Sequence, residues 1–565
     1  MRPTPPCLAP LLAAPSLPAL LLSILCLTIL PASTLPADEQ AEPRVLDAGV
    51  HHLRSEGPPE WATFPEQPEA AELKLTFQSV ANRSEWMLQL YQEDVKQAWT
   101  LHLNDKPLGR LVRDENPMLV CFPVPAGAIR DGENTLAITQ NTGRRASVDD
   151  IRAGRITLFP RTQTEVLSAA RLKVTVLDAA TKQPLPARIT ILNERGALQT
   201  VGASSGGQLA VRPGTVYTGS GVAEFGLPPG TYTVLAGRGF EYSLSSEKIT
   251  VAAGDEQSLV LNISRAVPTT GYVACDTHVH TLTHSGHGDA TVHERMITLA
   301  GEGIELPIAT DHNVQIDHRP FARELNLDRW FTPVTGNEVT TPTAHFNIFP
   351  VEPGAAVPDW KQPRWKTTLE GAFATPGVQV AILNHARDLH SGVRPFGPAR
   401  YNDAIGDKID GQSIGFNAME VINSGANQTD ILRLFRDWMT LLNRGYQITP
   451  VGSSDSHDVA RHFVGQGRTY IRCDDSNPGA IDIAAATAAF LKGEVLVSYG
   501  LLAEIEVTGK YGPGSLVPLA ADEDHVAVTL RVLGPEWVSA SRIMLFENGR
   551  LVQSLEIDTA ASGKL

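Results

Sequence analysis

Six short strings in one half of the chain combine imidazole and carboxylate side chains, the donor types that hold zinc, manganese or iron. They are Asp276-Thr277-His278-Val279-His280, Thr310-Asp311-His312, Gly336-Asn337-Glu338, Ala344-His345, Asn384-His385 and Ser454-Asp455-Ser456-His457. Twelve of the sixteen histidines fall between His278 and His462, whereas histidines that merely pack a core should scatter. His278 and His280 are two apart, which on a strand turns both imidazoles to one face. Strand ends of a parallel barrel converge on one mouth, so strings as distant as those of His278 and His457 can share a site. Two divalent cations sharing a carboxylate would make bound water nucleophilic near neutral pH and stabilise a developing oxyanion. The chemistry this pattern suggests is metal-assisted hydrolysis, with no protein nucleophile needed.

The elements that must position these strings are strand-like runs at 271–280, 306–311, 331–338, 346–351, 378–385, 416–423 and 448–455, with helical stretches in several gaps. Such alternation predicts parallel strands with crossover helices. The clearest helix starts at Thr429 as N-cap, carries Ile431, Phe435, Trp438 and Leu442 on one stripe, and stops at Gly445. Before this region the grammar is different. Period-two alternation from 45 to 165, as in Leu73-Lys74-Leu75-Thr76-Phe77 and Trp99-Thr100-Leu101-His102-Leu103, predicts a jelly-roll-like β domain. It resembles galactose-binding modules, which makes carbohydrate a candidate ligand there. A second β unit at 170–265, with Pro228-Pro229-Gly230-Thr231-Tyr232, resembles the carboxypeptidase-regulatory-like β-sandwich. Alternation returns at 503–565 and predicts a small C-terminal β extension.

At 565 residues the chain should hold about three or four domains. A net charge of -15 argues against a nucleic-acid-binding surface, which needs Lys and Arg in excess. The first 37 residues, with Arg2 followed by the apolar run Leu20 to Leu30, predict a signal peptide. A secreted or periplasmic protein follows, with no transmembrane segment after cleavage; an uncleaved membrane anchor is the alternative. Cys7 and Cys26 fall in that leader, leaving Cys121, Cys275 and Cys473, widely spaced and odd in number. They form neither a disulfide framework nor a CxxC zinc ligand pair.

The order of the six strings resembles the PHP superfamily, named for polymerase and histidinol phosphatase. The likeness spans about 271–500, and Ser285-Gly286-His287-Gly288-Asp289-Ala290 and Ala300-Gly301-Glu302-Gly303-Ile304-Glu305 resemble its carbaryl hydrolase-like branch. It implies a distorted (β/α)7 barrel behind two β-sandwich modules, and two or three divalent ions of zinc, manganese or iron. On that resemblance His278, His280, Glu338 and Asp455 hold one metal, Glu338 bridges to another on His345 and His385, and His312 with His457 takes a third. One more ligand is expected from His287, with His284 and Asp289 as alternatives. His312, His457 and Arg387 would be the catalytic side chains. The substrate implied is a small phosphoester, with carbamate, ester or amide as the alternative. An amidohydrolase barrel also opens with HxH, but here Asp455 and His457 both close the pattern and no Lys occupies a strand end. A non-catalytic, secreted glycan-binding protein is the reading from a different class.

Asp276 and Asp311 are expected to orient ligands, and Glu420 either to face the site or to be a buried, hydrogen-bonded carboxylate. His293, His318 and His390 are expected in solvent. Arg387, Arg461 and His462 are candidates for contact with an anionic substrate or for surface ion pairs.

Overall fold

A computed structural model of the chain describes residues 42–55, 57–141, 147–388, 393–426, 430–519 and 525–557. The expected leader, Thr429 and His390 lie outside the described residues. The chain is about 41% strand and 12% helix, so sheets rather than helices set its architecture.

The alternation read at 45–165 becomes a β-sandwich. One layer orders the strands Leu73–Ser79, Gly132–Gln140, Trp99–Leu103 and Lys106–Arg110, and the facing layer includes Arg44–Arg54, Asp150–Phe159, Trp86–Glu93 and Met118–Val124. Leu73, Phe77, Leu101, Leu136 and Ile138 of one layer meet Leu88, Leu90, Val120 and Ile151 of the other in one core. The facing layer does not end at the module. Leu198 and Gln199 pair in parallel with Met118 and Leu119, extending it into a ten-stranded sheet that includes Ala187–Asn193 and Thr215–Thr218. A three-stranded sheet, Val222–Leu227, Ala170–Asp178 and Glu256–Ile263, covers that extension through Val174, Val176, Ile189, Val216 and Val234. In the Pro-Pro-Gly-Thr-Tyr corner, the Tyr232 hydroxyl donates to the Pro228 carbonyl at 2.9 Å, fixing the entry into the strand Gly230–Gly237.

The region carrying the six strings folds as two mixed five-stranded sheets. The first is ordered Val334–Thr335, Leu306–Ala309, Tyr272–Val279, Arg468–Arg472, Val495–Ser498, with its first two pairings parallel and its last two antiparallel. The second is ordered Asn337–Thr340, His345–Phe349, Val380–Leu383, Ala418–Asn423, Thr449–Ser453, with two antiparallel pairings followed by two parallel ones. Val273, Cys275, Leu306 and Ile308 of the first share a core with Phe349, Val380, Ile382 and Val451 of the second. The chain passes between sheets at Gly336, where an added Cβ would lie 2.7 Å from Ile308 Cγ2 and 2.8 Å from the Ile348 carbonyl oxygen. No other residue fits that crossing without displacing a strand.

The expectation of a (β/α)7 barrel is therefore corrected. Only four residues, 341–344, join Asn337–Thr340 to His345–Phe349, far too few for the crossover a parallel pair requires. Among the described residues the parallel pair Val380–Leu383 and Ala418–Asn423 has no helix between its strands. Helices lie between the strands of the other three parallel pairs, at Val292–Gly301, Arg319–Glu324 and Ile431–Asn443. The last is capped by Asp430, whose side chain accepts from Leu432 N, and it buries Leu434, Asp437 and Leu441 with Trp438 packed beside them. Phe435 and Leu442 are only half-buried, so the buried stripe is rotated from the expected one.

Beyond residue 500 come two hairpins, Leu502–Val507 with Val528–Leu533 and Arg542–Glu547 with Arg550–Glu556. Among the described residues no helix is long and apolar enough to cross a membrane.

Candidate metal centre

The strand Tyr272–Val279 delivers His278 and, just beyond its end, His280 into the interior, where both are fully buried. A bridge between Val279 and Ser456 sets the first string beside the last. His278 Nε2 lies 3.2 Å and His280 Nε2 3.4 Å from the same oxygen, Asp455 Oδ1. Glu338, on the strand Asn337–Thr340, stands opposite: His278 Nε2 is 3.4 Å and His385 Nε2 3.5 Å from its Oε1, and His280 Nε2 is 3.7 Å from its Oε2. His345 Nδ1 reaches Glu338 Oε1 at 3.1 Å, and His312 Nδ1 contacts Oε2. His312 and His457 approach through their Nε2 atoms at 3.5 Å.

Three sets of donor atoms thus converge: His278 with His280 and Asp455, His278 with Glu338 and His385, and His280 with His312 and His457. The strings come together as their spacing suggested, but the sharing differs in detail. His278 and His280 each belong to two sets, and His345 approaches Glu338 without joining one.

Donor chemistry and geometry both fit divalent cations. His278 Nε2 and His280 Nε2 are buried without a hydrogen-bond partner, although carboxylate oxygens surround them. Ligands bound at ~2.0–2.2 Å to one ion sit about 3.0–3.4 Å from each other, close to the spacings found here. A buried polar atom left unsatisfied costs about 1–3 kcal/mol, so such atoms call for a partner.

The electrostatics agree. Burial pushes the Glu338 carboxyl up, but His312, His345 and His278 outweigh it and hold the group well below the usual carboxylate range. Burial likewise acts on Asp455, and His278, His280 and His457 again prevail, keeping it ionised. Burial drives His280 down to about 4 and His457 well below its ordinary value, leaving both as neutral lone-pair donors. His278 and His385 respond oppositely. Burial lowers them, yet Asp455, Glu420 and Glu338 lift His278 well above its normal range, and Glu338 and Asp455 bring His385 up to about 9.

The ligands are braced by residues of which some, such as Asp276, Asp311 and Glu420, were expected near the site and others were not. Arg295, fully buried on the helix Val292–Gly301, donates to the His280 carbonyl at 2.9 Å and the Ser456 carbonyl at 2.9 Å, tying the first string to the last. Nothing in its local sequence announces this. Asn384 Nδ2 donates to Glu338 Oε1 at 3.0 Å and to Asn347 Oδ1 at 2.8 Å. Glu420 is a buried, hydrogen-bonded carboxylate and touches His278 directly, with His278 Nδ1 2.7 Å from its Oε1. Asp311 reaches His280 through a hydroxyl: Ser285 Oγ lies 3.1 Å from His280 Nδ1 and donates to Asp311 Oδ1 at 2.7 Å. Asp276 accepts from the backbone N–H groups of His278, Ser454 and Gly465, bracing the strand ends.

Other expected residues stand elsewhere. His287 is exposed and belongs to none of the three donor sets; its ring stacks 5.0 Å from that of His312. Asp289 is engaged by Arg212 at 3.0 Å and by Val459 N at 2.7 Å, and His284 packs near Phe321. Arg387 forms a two-pronged ion pair with buried Asp437, at 2.7 and 2.8 Å, and belongs to none of the three donor sets. Arg461 pairs in the same manner with Glu115 of the first module, and His462 Nδ1 lies 3.9 Å from Asp458. His293 is exposed beside Glu324 as expected, but His318 is buried, because its ring closes over Asp311.

No family model matches the chain, and no curated protein does. Solved structures that match include the group B streptococcus pilus 2b backbone protein, at 14% identity and TM-score 0.14, covering 34% of this chain and 92% of that one. BcpA, the major pilin subunit of Bacillus cereus, matches at 11% identity and TM-score 0.15, covering 40% and 71%. A Bifidobacterium dentium beta-glucuronidase complexed with coumarin-3-O-glucuronide matches at 14% identity and TM-score 0.16, covering 53% and 61%. Likenesses this low carry nothing about activity. Region 271–500 folds as two mixed five-stranded sheets rather than a (β/α)7 barrel, so the PHP resemblance is corrected. The phosphoesterase assignment and its carbamate, ester or amide alternative, whose substrate classes came from that superfamily, are withdrawn with it.

Proposed function

We propose that this chain is an exported, β-rich metal-binding protein whose buried centre takes two or more divalent cations on His278, His280, His312, Glu338, His385, Asp455 and His457, with His345 beside Glu338. The observation that carries this reading is the pair of buried, unpartnered nitrogens, His278 Nε2 and His280 Nε2, facing two ionised carboxylates. Export rests on the leader-like composition of the first 37 residues. Metal analysis of the purified full chain tests the proposal: at least two equivalents of zinc, manganese or iron are expected in the wild type, with a loss in Glu338→Ala. Equal metal content in both proteins would overturn it.

One observation favours a catalytic rather than a purely structural centre. The side chains of His312, His345, Asp455 and His457 are 21%, 14%, 16% and 19% exposed, so one side of the cluster opens to solvent. Structural metal sites are closed, while catalytic ones keep a position for water or substrate. A metal bound there would supply activated water. His280, His457 and the carboxylates would hold it in place, and the open side would admit a small molecule. Turnover that depends on added metal and vanishes in Glu338→Ala, across a panel of small hydrolysable compounds, is the matching assay.

A further inference from the structure

His385 and Asp455 sit at φ +27° and +52°, in the left-handed region. A residue with a side chain costs about 1–2 kcal/mol there, so something must hold both in place. Each is tied to the same buried group. Glu420, on the strand Ala418–Asn423, is fully buried. Its Oε2 accepts the backbone N–H of His385, and also accepts from Asn423 Nδ2 at 2.9 Å. That same Asn423 Nδ2 donates to Asp455 Oδ2 at 3.3 Å. The other oxygen, Oε1, lies 2.7 Å from His278 Nδ1 and accepts from Ser453 Oγ at 2.6 Å.

We propose that Glu420 is the positioning residue of the centre, fixing three ligands at once: the ring of His278, the strained backbone of His385 and, through Asn423, the strained Asp455. With a cation bound, the carboxylate on Nδ1 would keep the proton there and select the His278 tautomer whose Nε2 is free to bind it. The two Oε2 contacts hold the left-handed turns closed. Glu420 touches no incoming ligand itself. The inference rests on the metal-binding reading above and deepens it.

The test is titration of the metal-free full chain with cobalt(II), followed by its visible absorption spectrum, which reports ligand geometry rather than fold. For Glu420→Gln, cobalt affinity should fall by about 10–100-fold and the spectrum should change, with the far-UV circular dichroism unaltered. A folded Glu420→Gln protein with wild-type affinity and spectrum overturns the inference. If Glu420→Gln does not fold, Asn423→Ala severs the link from Glu420 to Asp455, along with the acceptor of the Gly425 and Ala426 N–H groups, while leaving the Glu420 contacts to His278 and His385 in place. A changed spectrum is then expected, and one identical to the wild type overturns the inference equally. Failure of the wild type to bind cobalt would instead overturn the metal-binding reading.

Discussion

Two regions of this molecule bury carboxylates, and they treat them differently. In the first β module Asp149 accepts from Gln97 N at 2.9 Å and Trp99 Nε1 at 2.8 Å, while Asp150 meets His52 Nε2 at 2.6 Å and accepts from Glu60 N at 2.8 Å. Each is ringed by donors at hydrogen-bond length. In the region of the six strings, Asp455 Oδ1 faces the Nε2 atoms of His278 and His280 at 3.2 and 3.4 Å. A carboxylate closed off by N–H donors fastens loops together. One flanked by imidazole nitrogens at wider spacing, whose protons a cation can displace, is built to share that cation with them.

That contrast makes its strongest claim at Glu338, the carboxylate nearest the most imidazoles. Glu338→Gln keeps shape and removes charge, and cation affinity should fall by more than the ~10–100-fold typical of supporting residues. Isothermal titration with zinc or manganese measures it. A variant that bound as tightly as the wild type would erase the distinction between the two kinds of buried carboxylate.

The reciprocal substitution should do the opposite. Asp149→Ala leaves the N–H groups of Gln97 and Trp99 without their acceptor, and should lower stability to chemical denaturation by about 3 kcal/mol while metal content stays unchanged. Loss of metal in Asp149→Ala would mean that the first module and the centre are energetically one unit.

A third outcome follows from protonation. In the cation-free protein His385 carries its proton up to about 9, and His278 holds its proton above its ordinary range. Binding a cation must expel those protons. Apparent affinity should therefore rise between pH 6 and 8, by about tenfold per unit for each proton released. Titration in buffers of different ionisation enthalpy counts them. An affinity flat across that range would show that neither imidazole is a ligand.

How much of this was readable beforehand differs between the same two regions. Period-two alternation sufficed for the β modules, because a half-buried strand writes its two faces into consecutive residues. The donor strings were equally readable, since His278 and His280 sit two apart on one strand. What local pattern could not carry was long-range pairing. The destination of Arg387 is settled by Asp437, fifty positions away, and the clamp formed by Arg295 depends on a carbonyl 161 positions off. The antiparallel strand His345–Phe349 did leave a signal in its four-residue approach at 341–344, which excludes a crossover helix. The alternation of helices and strands elsewhere outweighed it.

The smallest expected effect qualifies the first module's side of the comparison. Asp114 is buried there, and its carboxylate accepts from the backbone and side-chain nitrogens of Asn116, both at 2.8 Å. These contacts do not offset burial, which pushes the group up from 3.8 to about 6. Because the folded value is the higher one, the group's favourable contribution is complete below about pH 4 and is lost as pH rises through 6. Asp114→Asn keeps an oxygen for Asn116 and removes the charge. The variant should match the wild type near pH 4 and exceed it by about 2 kcal/mol at pH 7.5, as read from paired urea unfolding curves. A difference between the two proteins that does not grow with pH would show that the contacts of Asp114 with Asn116 offset its burial.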